Sequence, residues 1–121
     1  MLSDLFRGIE AKAPRSWTLD GKRILFETHR TGNHDIYTID RDGMHLTRLT
    51  ESPAGDGSPS LSPDGSRIAF NSSRDGNAEV YVMRSDASQQ VRLTNTSAEE
   101  RSPAWLPDGA RIAFTTQPLR R

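Results

Sequence analysis

Apolar positions along this chain come in short alternating bursts, each closed by glycine, aspartate or serine. Ile24 and Phe26 stand two apart and so share one face of a strand, while Leu25 between them faces the other way. The same arrangement recurs at Ile68-Ala69-Phe70 and Ile112-Ala113-Phe114. Apolar residues on both faces predict strands packed on both sides. The flanking Asp20-Gly21, Asp64-Gly65 and Asp108-Gly109 pairs predict tight turns, glycine supplying the positive φ that such a turn needs. Within the repeats no stretch shows a 3.6-residue apolar period long enough for a helix.

These bursts fall at a fixed offset of 44 residues. Around the Asp-Gly pairs, Lys22-Arg23-Ile24-Leu25-Phe26 answers Ser66-Arg67-Ile68-Ala69-Phe70 and Ala110-Arg111-Ile112-Ala113-Phe114. Asp35-Ile36-Tyr37-Thr38-Ile39 answers Glu79-Val80-Tyr81-Val82-Met83, Arg48-Leu49-Thr50 answers Arg92-Leu93-Thr94, and Trp17 lines up with Leu61 and Trp105. One Asp-Gly pair is a weak signal; several blocks in fixed order at an unchanged period are a strong one. Each repeat reads as four strands. A short strand a ends at Trp17, Leu61 or Trp105. Strand b covers Arg23–Thr28, Arg67–Ser72 and Arg111–Thr116, and is expected to be the most buried. Strand c covers Asp35–Ile39 and Glu79–Met83, and a short strand d lies near Leu46–Leu49 and Gln90–Leu93.

Four strands in about 44 residues match the ~40–45-residue blade of a β-propeller. The run Ser58-Pro59-Ser60-Leu61-Ser62-Pro63-Asp64-Gly65-Ser66-Arg67-Ile68-Ala69-Phe70, followed by Ser73-Arg74-Asp75-Gly76-Asn77 and Arg92-Leu93-Thr94, resembles the WD40-like Pd repeat of the TolB propeller family. The resemblance covers roughly residues 14–116 and implies a bacterial source. The first repeat departs from the pattern at Thr18-Leu19, where the family has Ser-Pro, and the third ends after strand b.

The fold class is therefore expected to be all-β, a partial β-propeller of antiparallel four-stranded blades. Residues 14–57 form the first blade, 58–101 the second, and 102–121 a half blade of strands a and b with a tail. Residues 1–13 read in two ways. Leu2 and Leu5 fall in register with Leu46 and Leu49, which suits a strand d over Met1–Phe6, and Leu2, Leu5, Phe6 and Ile9 also suit one side of a short helix over Leu2–Ala11. Either way the strands do not close a ring, and end blades expose apolar faces and unpaired edges.

Composition narrows the function. Lysine plus arginine equals aspartate plus glutamate at 16 each, and no basic run occurs, so nucleic acid is not an expected partner. The absence of cysteine excludes disulfides, thiolate zinc sites and cysteine nucleophiles. No apolar stretch approaches the ~18 residues of a membrane span, so membrane insertion is not expected. The N-terminal segment lacks the layout of a signal peptide. The location is expected to be cytoplasmic by default, or periplasmic if the chain derives from an exported TolB-like parent.

Candidate chemistry is sparse. Asp20, Asp64 and Asp108 recur with the period and read as turn-openers, not as a carboxylate set. Asp40-Arg41-Asp42-Gly43 lacks the acid a calcium loop would need at Leu49. His29 and His34 flank one b–c turn without a third ligand, so no metal is expected. No nucleophile elbow, Walker loop or dinucleotide loop occurs, and no cofactor is expected. Trp17 and Trp105 read as packing between blades, and the sequons at Asn71 and Asn95 as chance matches in a polar chain.

The resemblance to propellers implies that the b–c and d–a loops share one face. On it lie Arg30, His34, Asp56, Arg74, Asp75, Glu99, Glu100 and Arg101, the candidate protein-binding residues. The expected function is a non-catalytic interaction module of TolB-like type, with another protein or copies of the chain completing the propeller. The alternatives are a fragment of a longer propeller without independent activity, and a propeller-type enzyme of the lyase or peptidase kind.

Overall fold

A computed structural model describes residues 11–17, 21–28 and 33–118 of the chain. All regular structure among them is β. In chain order the strands are β1 (Ala11–Trp17), β2 (Arg23–Thr28), β3 (Asp35–Asp40), β4 (Thr47–Arg48), β5 (Asp56–Leu61), β6 (Arg67–Ser72), β7 (Glu79–Arg84), β8 (Val91–Arg92), β9 (Glu99–Trp105) and β10 (Ile112–Gln117). They form three antiparallel meanders, β1-β2-β3-β4, β5-β6-β7-β8 and β9-β10. Of the N-terminal segment, residues 1–10 lie outside those described, as do Asp20, His29 and Arg30, while Ala11, the last residue of the helix reading, opens β1 instead.

The first strand of each sheet is longer than its apolar pattern predicts. β5 begins at Asp56 and β9 at Glu99, and each crosses an irregularity in its pairing. In these bulges Ser58 and Ser102 adopt positive φ, 51° and 54°, at the same repeat position. Because a bulge breaks the period-2 alternation, the upstream half reads in sequence as a loop. The third b-type strand begins at Ile112 instead of Arg111, a one-residue difference at a frayed end.

Turn chemistry follows the repeat. Gly65 and Gly109 donate to the carbonyls of Ser62 and Leu106 at 2.9 Å, with φ of 78° and 68°. Asp64 Oδ1 accepts from the Ser66 backbone N–H (3.0 Å), the Ser66 hydroxyl (2.7 Å) and the Ser62 hydroxyl (2.8 Å). Those donors, the Ser66 amide first, pull the Asp64 carboxyl down to about 2. Asp108 accepts from the Ala110 amide at 3.0 Å and from Arg111 at 2.9 Å.

Sheet stacking explains the apolar pairs. The register Ile24↔Ile39 and Phe26↔Tyr37 puts these four on one face of the first sheet, and Leu25 with Ile36 on the other. Leu25 and Ile36 pack against Ile68, Phe70, Tyr81 and Met83 of the second sheet, so Ile68 and Phe70 lie between sheets and are essentially fully buried. Phe26 stacks on Tyr37 and Phe70 on Tyr81, with centroids 6.0 and 5.7 Å apart. Strand b is not the most buried, contrary to its apolar pattern. β3 and β7 are buried from Asp35 to Ile39 and from Glu79 to Met83, while β2 and β6 each start on an exposed arginine. The cause is that strand c buries a charged residue as well, as described next.

Candidate functional site

Strand c opens on an acid in both full sheets, Asp35 and Glu79, and both are fully buried. A buried carboxylate is costly unless paired and hydrogen-bonded. The repeated Arg-Leu-Thr block supplies the partners. In the first sheet Arg48 contacts Asp35 Oδ2 at 2.5 Å, and the Thr50 hydroxyl lies 3.3 Å from Oδ1 while accepting from the Ile36 amide at 3.0 Å. In the second, Arg92 contacts Glu79 Oε2 at 2.9 Å, the Thr94 hydroxyl donates to Oε1 at 2.7 Å, and Val80 N–H donates to Thr94 at 2.8 Å. The leucine between holds the backbone ladder, Leu49 to Ile36 at 2.7 Å and Leu93 to Val80 at 2.8 Å.

The two acids titrate in opposite directions. Burial pushes the Asp35 carboxyl up, against the pull of Arg48, and the Asp56 charge adds to the rise. Burial also opposes the Glu79 charge, but Thr94, the Thr96 amide and Arg92 together hold Glu79 below its ordinary value. The added Thr96 N–H, at 2.8 Å, is the difference in geometry. These clamps are fold devices, and reading the residues one at a time missed them. The signal that reveals them is the acid opening strand c, kept at the same offset as Arg-Leu-Thr.

At the b–c and d–a loops the two full sheets and the half sheet meet. The backbone N–H of Asp56 donates to the carbonyl of His34 at 2.6 Å, and that of Glu100 to Ala78 at 2.8 Å, one repeat later. Glu27 Oε1 accepts from Ser58 N–H at 3.0 Å, and Asn71 Oδ1 from Ser102 N–H at 3.4 Å. Each strand b thus reaches the bulge of the next strand a. Gly57 allows the approach, since a Cβ there would lie 2.8 Å from Glu27 Oε2. A cleft of about 380 Å³ opens here, bordered by Glu27, His34, Asp56, Asn71, Ser73 and Arg101.

Among the candidate binding residues, His34, Asp56 and Arg101 border this cleft. His34 Nδ1 lies 3.4 Å from Glu27 Oε2, and Arg101 contacts Glu99 at 3.0 Å. Asp56 is not an exposed loop charge. It opens β5, its side chain is buried, and Arg74 contacts Oδ2 at 3.1 Å, while Oδ1 has no hydrogen-bond partner among the described residues. Arg74 itself is held by Ser72 (3.0 Å) and Gln90 (2.8 Å) and lies over the Tyr81 ring at 4.8 Å. Glu100 is likewise buried, accepting from the hydroxyls of Thr116 at 2.8 Å and Thr96 at 3.2 Å. Asp75 bonds the Tyr81 hydroxyl, and burial together with this carboxylate pushes that phenol up to about 12. Arg30 lies outside the described residues. Trp105, read as an inter-blade residue, donates from Nε1 to the Ser60 carbonyl at 3.0 Å, with the Arg67 guanidinium 4.8 Å from its ring. No group of three or more acidic or histidine residues among the described ones is placed to hold a metal ion.

Stacked antiparallel four-stranded meanders, joined in sequence order by repeat-equivalent contacts, define a β-propeller architecture. The TolB beta propeller domain family matches residues 4–119, and the chain belongs to that family. A protein TolB homolog of Chlorobaculum tepidum is 44% identical over 43 residues, which is 36% of this chain and 10% of the homolog. A solved structure described as a TolB from Agrobacterium tumefaciens is 33% identical with a TM-score of 0.79, covering 88% of this chain and 40% of that one. TolB from Acinetobacter baumannii, at 26% identity and a TM-score of 0.79, covers 90% of this chain and 27% of its own. The tricorn protease, at 19% identity and a TM-score of 0.64, shares the fold alone.

Proposed function

We propose that this chain is a non-catalytic protein-interaction module of TolB type, binding through its d–a and b–c loops, with the bound partner completing the ring of blades. In this reading residues 14–57 and 58–101 are the blades and 102–121 the half blade that carry those loops. The observation that carries it is the cleft where loops of consecutive sheets converge on His34, Asp56 and Arg101. Loops fixed on a rigid sheet scaffold suit recognition. Within the cleft Asp56 is buried and tied to Arg74, while the half-exposed His34, beside Glu27, and the exposed Arg101, paired with Glu99, reach solvent. The test is site-specific photo-crosslinking in the source cell from probes at His34 and Arg101, compared with probes at Asp42 and Asp108 on the opposite turns. Adducts confined to the first pair are expected. Equal adducts from both pairs, or adducts from the turns alone, would contradict the assignment.

A further inference from the structure

The junction of strand b with the next strand a occurs twice, and its two versions differ where the loop cleft lies. Glu27 meets Ser58 in the first, and Asn71 meets Ser102 in the second. The second junction is filled by its own side chains. Glu99 accepts from the Ala78 amide and from Arg101, each at 3.0 Å. Glu100 is buried with both oxygens occupied, Oε1 by the Thr96 hydroxyl and Oε2 by that of Thr116. One repeat earlier, the counterparts of Glu99, Glu100 and Arg101 are Gly55, Asp56 and Gly57. The buried acid is shorter by one methylene, and two glycines replace the ion pair beside it.

The cleft of about 380 Å³ lies there, between the first two sheets and away from the last strands. The Asp56 side chain is fully buried with Arg74 on Oδ2, and its Oδ1 has no hydrogen-bond partner among the described residues. Ser52 stands at the repeat position of Thr96. Its hydroxyl accepts from the Ala54 amide at 3.3 Å, as that of Thr96 does from Ala98 at 3.2 Å. The hydroxyl that serves Glu100 thus has its equivalent, but the shorter Asp56 makes no bond to it. Glu27 adds a second carboxylate where the later junction has the neutral Asn71. Its Oε1 accepts from Ser58 and its Oε2 lies 3.4 Å from His34 Nδ1, and no lysine or arginine pairs with it among the described residues. A buried carboxylate oxygen without a donor is costly, so a donor supplied from outside is favoured there.

We propose that this cleft receives a primary ammonium group, the side chain of a lysine on a partner protein, held by Asp56 and Glu27. The inference rests on the reading that the loop cleft docks a protein, and it names the chemistry of the residue that anchors the partner. The lysine supplies in trans the cation that Arg101 brings to the second junction and that Gly57 lacks. Asp56 Oδ1 lies below the cleft surface, so its donor has to be slender. An ammonium on an unbranched stem, with three donors, meets that need better than a planar guanidinium.

The probe is a lysine blocked as the Nα-acetyl methylamide, titrated into the full chain and followed by NMR. Saturable binding is expected, with amide shifts at 54–58 and at His34, Asn71 and Arg101. Blocked norleucine, which has a stem without the ammonium, should bind at least about tenfold more weakly, and blocked arginine should also be weaker. Two variants test the residues. Asp56→Glu copies Glu100, so it is expected to keep the fold, carry its carboxylate to Ser52 and weaken lysine binding about tenfold or more. Glu27→Gln keeps the acceptor for Ser58 without the charge and should weaken binding similarly. The spectrum of each variant checks its fold. No saturable binding at high millimolar probe, equal binding of norleucine, undiminished binding by both variants, or shifts outside the cleft would overturn the proposal. So would calcium chloride producing the same shifts at lower concentration. Crosslinks from His34 and Arg101 without lysine binding would overturn this inference and leave the docking reading intact; lysine binding without crosslinks would do the reverse.

Discussion

Residues that look like surface decoration in this sequence turn out to be its most constrained charges. Glu79 is buried with Arg92, Thr94 and the Thr96 amide around one carboxylate, and a lone buried charge left behind by removing one partner is strongly destabilising. Arg92→Ala leaves the buried Glu79 carboxylate without its cation and is expected to cost about 3–5 kcal/mol in urea denaturation; a loss under about 1 kcal/mol would show the clamp to be dispensable. The pH dependence follows from the same groups. Asp64 is held at about 2 against an ordinary 3.8, and Glu79, Asp86 and Asp108 are also held below their ordinary values. A carboxyl with a depressed folded-state value stabilises above its ordinary value, and that stability is lost as pH falls through the folded-state value. Asp35, raised by burial, acts in the opposite sense, its contribution being full below 3.8 and shrinking as pH rises. With four groups against one, the melting temperature is expected to fall as pH drops from 4.5 toward about 2. Asp64→Asn should flatten the slope between 3.8 and about 2. An unchanged profile would contradict the turn assignment.

At the scale of elements, the apolar alternation was enough to locate strands b and c, because Ile24, Phe26, Ile68 and Phe70 repeat both the period of two and the offset of 44. Strand a was legible only near Trp17, Leu61 and Trp105. Upstream, the bulges at Ser58 and Ser102 interrupt the alternation and disguise a strand as a loop. For that reason Asp56 and Glu100 read as loop charges, although both lie on strands with buried side chains. The interior of the stack makes a quantitative contrast. Phe70→Ala empties a fully enclosed site and should cost roughly 3–5 kcal/mol. Phe114→Ala, at the same repeat position but 41% exposed, should cost clearly less. Similar losses from the two would mean that Phe114 is covered in solution. Gly57→Ala sets a methyl group 2.8 Å from Glu27 Oε2 and is expected to weaken the contact between the first two sheets, read as a lowered melting temperature. A neutral result would show the Glu27 carboxylate free to move aside.

For the whole molecule, the governing fact is that one packing unit is used repeatedly. The first sheet offers Leu25 and Ile36 to the Ile-x-Phe and Tyr-x-Met faces of the second, and the second offers Ala69 and Val80 at the same repeat positions, so stability is largely a sum over sheets and the contacts between them. The family match over residues 4–119 and the two TolB structures fix the fold, and the chain spans 40% and 27% of those two solved chains. Stacking of this kind predicts a gradient of local stability. Amide hydrogen exchange, read residue by residue, tests it most directly. Amides of β6 and β7, paired on both edges and packed between sheets, should exchange most slowly. Those of β10, paired with β9 alone among the described residues, should exchange faster by about an order of magnitude or more. Protection of β10 equal to that of β6 in the chain by itself would contradict the stacked-repeat account.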